Sequence, residues 1–568
     1  METTTAKQNK VTGNTKTSSL LTLNKRSYTM KHTSIFRRGM SALVALVLLV
    51  GLSFGQNLVI GSNTVTVGGN GTINVKGNIV NTGVTTAVNV GGASSTVNLN
   101  GSSAQTIGGG SGALNFATLR ATAASTKSIT TDATVATALS VTSGGATQVE
   151  VAAAKTLTIA GTIASGGGAT APYKFDNGTS VVDYSGGASQ AMWGTTYNAL
   201  NMSGAGGFTM QGNITVSNTV NHTGGALTVD NNFTAGTGYT FGTISNVAAG
   251  KSLTLGTIGG SIATLSDITA TGQLINGSGA LTIATLTNNH GTITASANNG
   301  AISFTNAATN NGDITGGLGA VTFANTLSHA TGTISSSVGT VLFSGAPSMA
   351  SGTISAGTGG TLDFNAAVNG TGGTIALTGS GVANFAETFT AVPTLSFGGT
   401  STVNFDGTSQ NVPAATYVNL NMIGVGTKTA LGTIAATNFD NGGSGNTATI
   451  TDMGTQTLTI STGKENTNGT ILFGGAANGV LFATGTVNYN AASGTQTIAG
   501  GGTYSTLLLT VGGTKQIPAT TTVGTAAGLT VASSVTLDLA ASDSQLDVAG
   551  DLTVNGFLTN AGTINVGP

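Results

Sequence analysis

The side chains that could carry acid–base or metal chemistry are few and widely spaced. Three histidines follow the N-terminal region: His222, His290 and His329. They have neither the i, i+4 spacing nor the neighbouring glutamate of a helical metal site. Three aspartates of the central region are far apart in the chain: Asp267, Asp313 and Asp363. Glycoside hydrolysis needs paired carboxylates, so we predict a protein that is not an enzyme, with no catalytic, metal-binding or cofactor-binding residues.

Composition excludes several classes of protein. The 568 residues include 89 glycines but only 17 Lys+Arg and 18 Asp+Glu, so charged residues make up 6% of the chain, against about 25% in ordinary soluble domains. There is no cysteine and there are only 6 prolines, which excludes a disulfide scaffold, a thiolate metal site and a proline-rich linker protein.

The N-terminus has the pattern of an export signal. Eight of the 17 basic residues lie in the first 38 positions, directly ahead of the apolar run 42–50. A charged segment followed by an apolar run too short to span a bilayer is typical of a secretory signal peptide. Ser53 and Gly55 supply small residues for signal peptidase, so we predict a leader over 1–55 and a mature chain that begins at Gln56.

A repeat of about 20 residues organises the centre of the chain. The pattern Gly-[Thr/Asp]-Ile recurs at nearly constant intervals, beginning at Gly291, Gly312, Gly332, Gly352 and Gly373. Alternating apolar residues predict two short strands in each repeat, and the glycines predict turns. Such a unit can bury its apolar face only by stacking on its neighbours. We therefore predict an all-β fold, a parallel β-helix (β-solenoid) with coils of about 20 residues.

One phenylalanine recurs in each of these coils: Phe304, Phe323, Phe343, Phe364 and Phe385. An exposed aromatic strip for sugar stacking is one interpretation. We favour a stack inside the solenoid, because each ring alternates with Thr, Ser, Asn or Asp along its strand.

A longer module occurs four times, beginning at Val97, Val182, Val403 and Val487. Each start is followed by a glutamine: Gln105, Gln190, Gln410 and Gln496. Each glutamine is followed by an aromatic residue three positions before a leucine: Phe116, Tyr197, Tyr417 and Tyr504. The first two starts and the last two are each about four coils apart, and the middle interval is longer by roughly seven coils. We interpret the Gly-Thr-Ile coils as whole coils inserted between the second and third modules, which a solenoid tolerates.

Three lysines occupy the same place in three of the modules: Lys127, Lys428 and Lys515. A ligand-binding ladder would need them in adjacent coils, and they are too far apart for that. We therefore interpret them as solubilising charges on a neutral face. The four glutamines are interpreted as amides that close a turn or bond to one coil, in preference to partner-binding groups. Trp193 is interpreted as a packing residue.

Several phrases of the sequence resemble a known kind of repeat. They are Val487-Asn-Tyr-Asn490 with Gly494-Thr-Gln-Thr-Ile498, Thr416-Tyr-Val-Asn-Leu-Asn-Met422 and Gly426-Thr-Lys-Thr429. These phrases resemble the repeats of large secreted β-helical surface proteins of Gram-negative bacteria, of the adhesin and autotransporter-passenger kind, over residues 57–568. The resemblance implies a parallel β-helix, export across the outer membrane and a role in attachment or surface structure.

We therefore predict a secreted, non-enzymatic structural or adhesive β-solenoid, located outside the cell or on its outer surface. Its predicted parts are the leader over 1–55, a solenoid with two long modules over 56–240, the Gly-Thr-Ile coils over 241–402 and two more long modules over 403–568. Glycan or cell-surface groups are the expected contacts. Nucleic acid is not expected, because the mature chain carries nine basic against 17 acidic residues. No membrane helix is expected after leader cleavage.

Two alternatives to the adhesive role are open. The segments Asn70–Val75 and Ala561–Val566 both read as ordinary coils, so each end is expected to offer unpaired backbone groups on which another copy could stack end to end, as in a filament or sheath. The second alternative is binding to ice or another crystal surface, suggested by Thr-x-Thr triplets at 64–66, 156–158 and 457–459. These triplets are too scattered to predict a continuous face.

Overall fold

The computed structural model describes residues 52–54, 57–60, 65, 70–82, 88–90, 94–110, 112–142, 146–166, 171–295, 300–441, 449–460, 465–467, 470–472, 486–498, 503–517, 521–540, 544–560 and 562–567. The predicted leader lies outside these residues except for Leu52–Phe54. These three residues form a strand, which cleavage after Gly55 would remove. The chain divides into two compact units, and the predicted divisions after residues 240 and 402 stay predictions.

Unit 1 comprises Met1–Ser217 and Thr223–Gly225. Its described secondary structure is all strand: β1 (Leu52–Phe54), β2 (Leu58–Ile60), β3 (Thr72–Val75), β4 (Ile79–Asn81), β5 (Val88–Val90), β6 (Thr96–Leu99), β7 (Gln105–Gly108), β8 (Leu114–Ala121), β9 (Thr126–Ile129), β10 (Ala133–Val141), β11 (Gln148–Val151), β12 (Thr156–Ile159), β13 (Thr162–Ser165), β14 (Tyr173–Lys174), β15 (Val181–Tyr184), β16 (Gln190–Met192), β17 (Thr196–Tyr197), β18 (Ala199–Met202), β19 (Phe208–Met210) and β20 (Ile214–Val216).

Unit 2 comprises Asn218–His222 and Ala226–Pro568. Its first half contains β21 (Thr219–His222), β22 (Leu227–Val229), β23 (Phe233–Thr234), β24 (Gly238–Val247), β25 (Ser252–Thr254), β26 (Gly260–Leu265), β27 (Gln273–Asn276), β28 (Leu281–Leu286), β29 (Thr292–Ala295), β30 (Ile302–Phe304), β31 (Ala308–Asn310), β32 (Asp313–Gly316), β33 (Val321–Phe323), β34 (Leu327–His329), β35 (Thr333–Ser336), β36 (Thr340–Phe343), β37 (Pro347–Met349), β38 (Thr353–Ala356), β39 (Thr361–Phe364), β40 (Val368–Gly370), β41 (Thr374–Leu377), β42 (Val382–Phe385), β43 (Phe389–Ala391) and β44 (Thr394–Phe397).

The second half of unit 2 contains β45 (Thr402–Phe405), β46 (Gln410–Val412), β47 (Ala415–Met422), β48 (Gly426–Ala430), β49 (Ile434–Asn441), β50 (Thr449–Asp452), β51 (Thr457–Ile460), β52 (Glu465–Thr467), β53 (Thr470–Leu472), β54 (Thr486–Tyr489), β55 (Thr495–Thr497), β56 (Thr503–Leu509), β57 (Gly513–Ile517), β58 (Thr521–Val531), β59 (Val535–Leu539), β60 (Gln545–Val548), β61 (Leu552–Val554), β62 (Phe557–Asn560) and β63 (Thr563–Val566).

Strands pair in parallel with their counterparts one coil further along the chain, within sheets that end at β14, β44, β53 and β62. In unit 1, one sheet runs in the order β14-β11-β9-β7-β4-β2. In unit 2, β30, β31 and β32 form one coil and pair with β33, β34 and β35 of the next. The fold is an all-β parallel β-solenoid with about 20 coils of about 21 residues, as predicted. Parallel stacking of this kind lets each coil satisfy the backbone groups of its neighbours.

The long modules stack in a common way. The valine that opens each module pairs with the leucine of the following aromatic-x-x-Leu element, one coil later. The four pairs are Val97 with Leu119, Val182 with Leu200, Val403 with Leu420 and Val487 with Leu507.

The five recurring phenylalanines form a column inside unit 2, so the internal stack is confirmed. Each ring is at most 1% exposed. Successive ring centroids are 4.8, 5.3, 4.7 and 4.8 Å apart, and successive ring planes are within 8° of parallel. Offset-stacked aromatic pairs add a modest stabilisation to the burial of the rings.

Replacement of the central ring of this column should destabilise the surrounding coils. We expect Phe343→Ala to cost about 3–5 kcal/mol, because it removes a fully buried ring and leaves a cavity. The loss should be local, since each coil contacts only its neighbours. Hydrogen exchange is expected to quicken in β33, β36 and β39. Phe557→Ala is the matched control, because Phe557 is 67% exposed. Equal effects of the two substitutions would contradict the column.

Candidate functional site

The glutamine of each long module joins two coils. Gln190 shows the arrangement: its Oε1 accepts the N–H of Gly186 at 2.7 Å, and its Nε2 donates to the carbonyls of Ile159 and Gly161, one coil earlier, at 2.8 and 2.7 Å. Gln105, Gln410 and Gln496 make the same kinds of bond. The interpretation of these amides as turn-closing, coil-bonding groups is therefore confirmed.

The three lysines continue this polar column into the next coil. Lys127, Lys428 and Lys515 pair in register with the glutamine of the preceding coil. Each Nζ donates to the carbonyl of the residue whose N–H bonds that glutamine: Gly101 at 2.8 Å, Ala491 at 2.7 Å, and Gly407. The second module has Phe208 in the lysine position, paired with Gln190.

The interpretation of these lysines as solubilising surface charges is wrong. All three side chains are completely buried. In a solenoid the chain turns between strands, and a buried carbonyl at such a turn needs a hydrogen-bond donor from outside its own strand. The lysine Nζ supplies it. Burial lowers the pKa of all three lysines to about 8, and nearby Asp406 partly opposes this shift at Lys428.

A second buried network holds Trp193 in unit 1. The backbone N–H of Trp193 donates to the hydroxyl oxygen of Tyr184 at 3.2 Å, and the Tyr197 hydroxyl donates to the backbone carbonyl of Trp193 at 2.7 Å. The two tyrosine oxygens are 2.9 Å apart, which closes the ring of bonds. The indole packs edge-on against Tyr173, in agreement with the predicted packing role.

The three histidines lie apart from one another, and one of them contacts an aspartate. His329 is buried; its Nε2 is 3.2 Å from the Thr353 carbonyl, and burial lowers its pKa. His222 is buried against Phe241. His290 Nδ1 lies 3.2 Å from Asp267 Oδ1 at the surface. The i, i+4 spacing considered for the histidines does not reveal this pair. The signal in the sequence is that His290 and Asp267 lie one coil apart in the chain.

In the ranges that the structure describes, no three His, Asp or Glu side chains come together as a potential metal site. Asp313 lies on β32 and Asp363 on β39, in different sheets. The prediction that the protein is not an enzyme stays a prediction.

The outer face of β42, β45 and β47 carries an asparagine ladder, defined as Asn384, Asn404 and Asn421. These half-exposed residues occupy equivalent positions in successive coils. Asn404 Nδ2 donates to Asn384 Oδ1, and Asn421 Nδ2 donates to Asn404 Oδ1, both at 2.7 Å. An amide has two N–H groups and two acceptor lone pairs, and each ladder bond uses one donor and one lone pair. The ladder therefore presents neutral hydrogen-bonding groups once per coil.

The fold and these polar columns define a β-helical repeat protein, a parallel β-solenoid with buried glutamine–lysine columns. No known protein family matches the chain, and no curated protein and no solved structure is significantly similar to it. Among the described residues, no helix is long and apolar enough to cross a membrane.

The buried lysines predict that stability rises with pH above about 8. In the unfolded chain lysine keeps its proton up to about pH 10.5, whereas the buried lysines lose theirs near pH 8. Unfolding therefore takes up protons in this window, and the free energy of unfolding increases with pH. Between about pH 8 and 9.5 we expect a gain of about 1–2 kcal/mol for each lysine, measured by urea unfolding.

The triple variant Lys127→Met, Lys428→Met and Lys515→Met should lose most of this pH dependence. Lys174→Met is the control, because Lys174 is exposed on β14. A parent chain whose stability is flat over this window, or a control that behaves like the triple variant, would contradict the assignment.

Proposed function

We propose that the protein is a secreted, non-enzymatic β-solenoid that serves as a structural or adhesive element of the bacterial cell surface. The observation that carries the proposal is the stacking of coils in register, which places the outward side chains of successive coils one above another along the surface. The asparagine ladder is one product of this stacking. The leader pattern over 1–55 and the resemblance to adhesin-type repeats support the assignment to the cell exterior.

The asparagine ladder fits weak, repeated contact with a neutral polar surface such as a glycan coat. A single amide contributes little, because each new hydrogen bond replaces one to water. Contacts repeated on one rigid body act together, since the first contact raises the effective concentration of the next. The mature chain's weak negative charge gives no strong electrostatic attraction to anionic surfaces.

The adhesive role predicts both export and attachment. The secreted chain should begin at Gln56 in N-terminal sequencing, and Leu46→Arg should retain the protein in the cell because it charges the apolar run.

Beads coated with the secreted chain should attach to glycan-bearing cell surfaces. Asn404→Lys should lower the attached fraction several-fold, because it breaks both ladder bonds. Thr353→Lys, on another sheet of unit 2, is the control for an added charge.

Both variants must keep the melting temperature of the parent chain within a few degrees for this comparison. A secreted chain that does not attach would contradict the adhesive role. Equal attachment of the Asn404→Lys variant and the parent would contradict the role of the ladder.

A filament or sheath subunit is the second candidate, and the coil formed by β61, β62 and β63 favours it. Leu558 and Val566 pair with Leu537 and Val548 of the preceding coil, which are buried. Leu558 and Val566 themselves are 43% and 56% exposed. A coil of a second copy stacked on this surface would bury them and pair the strand backbones, as in head-to-tail assembly.

End-to-end assembly should therefore depend on these inward positions. Leu558→Glu with Val566→Glu should shorten or abolish fibres seen by electron microscopy. Phe557→Glu is the control, because Phe557 pairs with the outward-facing, half-exposed Thr536. A parent chain that stays monomeric by light scattering at high concentration would rule out the filament.

A further inference from the structure

Two rows of small side chains, which carry hydroxyl groups except at Asp313 and Ala376, run along one sheet of unit 2. The first residues of β29, β32, β35, β38, β41 and β44 form the first row: Thr292, Asp313, Thr333, Thr353, Thr374 and Thr394. The residue two positions later in each strand forms the second row, which is Thr or Ser except at Ala376. Both rows point outward, and we call them together the hydroxyl grid.

The grid has a regular spacing. The six strands pair one to one in parallel, with no shift of register between them. Neighbouring strands are about 4.8 Å apart, and the two rows are separated by two strand residues, about 6.6 Å. From the first to the sixth strand the grid is therefore about 24 Å long.

The grid is also rigid. Between its rows, the inward side chains form a buried column of Ile293, Ile314, Ile334, Ile354 and Ile375, each 0% exposed. β-Branched side chains such as threonine have restricted χ1 rotation. The threonine hydroxyl and methyl groups of the grid are thus restricted before any partner binds, which lowers the entropy cost of binding.

The hydroxyls of the grid keep their hydrogen-bonding capacity. Within the part of the chain that the structure describes, none of them bonds to another protein atom. The contacts of Thr333 and Thr353 are made by backbone atoms: the Thr333 N–H donates to Asp313 Oδ1, and the Thr353 carbonyl lies against His329 Nε2. In the asparagine ladder, by contrast, the side chains bond to one another. Each free hydroxyl offers one donor and two acceptor lone pairs.

These properties restrict the partner. A repeating grid adds affinity only for a partner that repeats with it. Asp313 is the only ionisable side chain in the two rows, so a polyanion or polycation finds little charge to pair with. The rows contain no aromatic side chain on which a sugar ring could stack, so a glycan would bind through hydroxyl hydrogen bonds alone, as at the asparagine ladder. The regular spacing and the free hydroxyls fit a neutral lattice of water molecules better, with the threonine methyl groups packing between its positions.

We propose that the hydroxyl grid is an ice-binding face. This inference does not depend on the adhesive function, which rests on a different sheet. The hydroxyl grid is hard to recognise in the sequence, because its six strands do not share one triplet. They read Thr-Ile-Thr, Asp-Ile-Thr, Thr-Ile-Ser, Thr-Ile-Ser, Thr-Ile-Ala and Thr-Leu-Ser. Only the first is a strict Thr-x-Thr triplet. The triplet at 156–158, on β12, is followed in the next coil by Val181 and Asp183 and forms no such grid.

The test uses the secreted full-length chain and growing ice. The parent should partition into an ice hemisphere grown from dilute solution and should produce thermal hysteresis. Thr353→Lys places a long charged side chain in the middle of the grid and should reduce the hysteresis several-fold. Thr361→Lys makes the same change on β39 of the large sheet and should leave the hysteresis unchanged.

Circular dichroism and melting temperature confirm that both variants are folded before the comparison. Exclusion of the folded parent from ice would overturn the inference, as would equal loss of hysteresis in the two variants. Retention on insoluble cellulose or chitin without ice binding would also overturn it. A chain that attaches to cells and is excluded from ice would leave the adhesive function standing and remove this one alone.

Discussion

Vertical hydrogen bonding between coils is the constraint on which the rest of this structure depends. Each strand obtains its backbone partners from the coils before and after it, so equivalent residues must lie in register. Because of this register, residues that are one coil apart in the sequence are neighbours in space. Phe304 thus stacks on Phe323, and Asn384 bonds to Asn404. Identical side chains in a column are the simplest way to satisfy this geometry, because what fits one coil fits the next.

The turns between strands create a problem that vertical stacking alone does not solve. There the backbone leaves the sheets, and buried N–H and C=O groups need other partners. The glutamine–lysine column provides them: at Gly407 the N–H bonds to Gln410 and the carbonyl accepts from Lys428. Burial of an amine opposes its charge, as the lowered pKa of Lys127 and Lys515 shows. In the second module Phe208 takes the place of the lysine, and the backbone N–H of Gly206 donates to the Gly186 carbonyl at 3.3 Å instead, whereas the glutamine recurs in all four modules.

The sequence predicted the fold well because the period of the repeat is visible without any tertiary information. The same period identified the phenylalanine column and the glutamines. The lysine prediction is wrong because a rare charged residue in a neutral chain suggests a surface position, and only the folded structure brings the carbonyls that accept from Nζ to these side chains. The His290–Asp267 pair and the hydroxyl grid were missed for a related reason. Both are relations between coils, and Ser, Asp and Ala interrupt the threonine pattern within the chain.

The asparagine ladder and the hydroxyl grid, two outward faces of unit 2, differ in how their side chains use their hydrogen-bonding groups. In the asparagine ladder the amides hydrogen-bond to one another between neighbouring coils, which stabilises the stacking of the coils. The remaining amide donors and acceptors can bind a flexible, hydrated partner. In the hydroxyl grid the backbone and the isoleucine column supply the support. The hydroxyls are consequently free to bind outside the protein, and their positions are fixed by strands they do not help to stabilise. The hydroxyl grid is held in place by the buried isoleucine column, and its hydroxyls have no hydrogen-bond partner within the part of the protein that the structure describes. Such a surface is suited to a partner that is itself ordered.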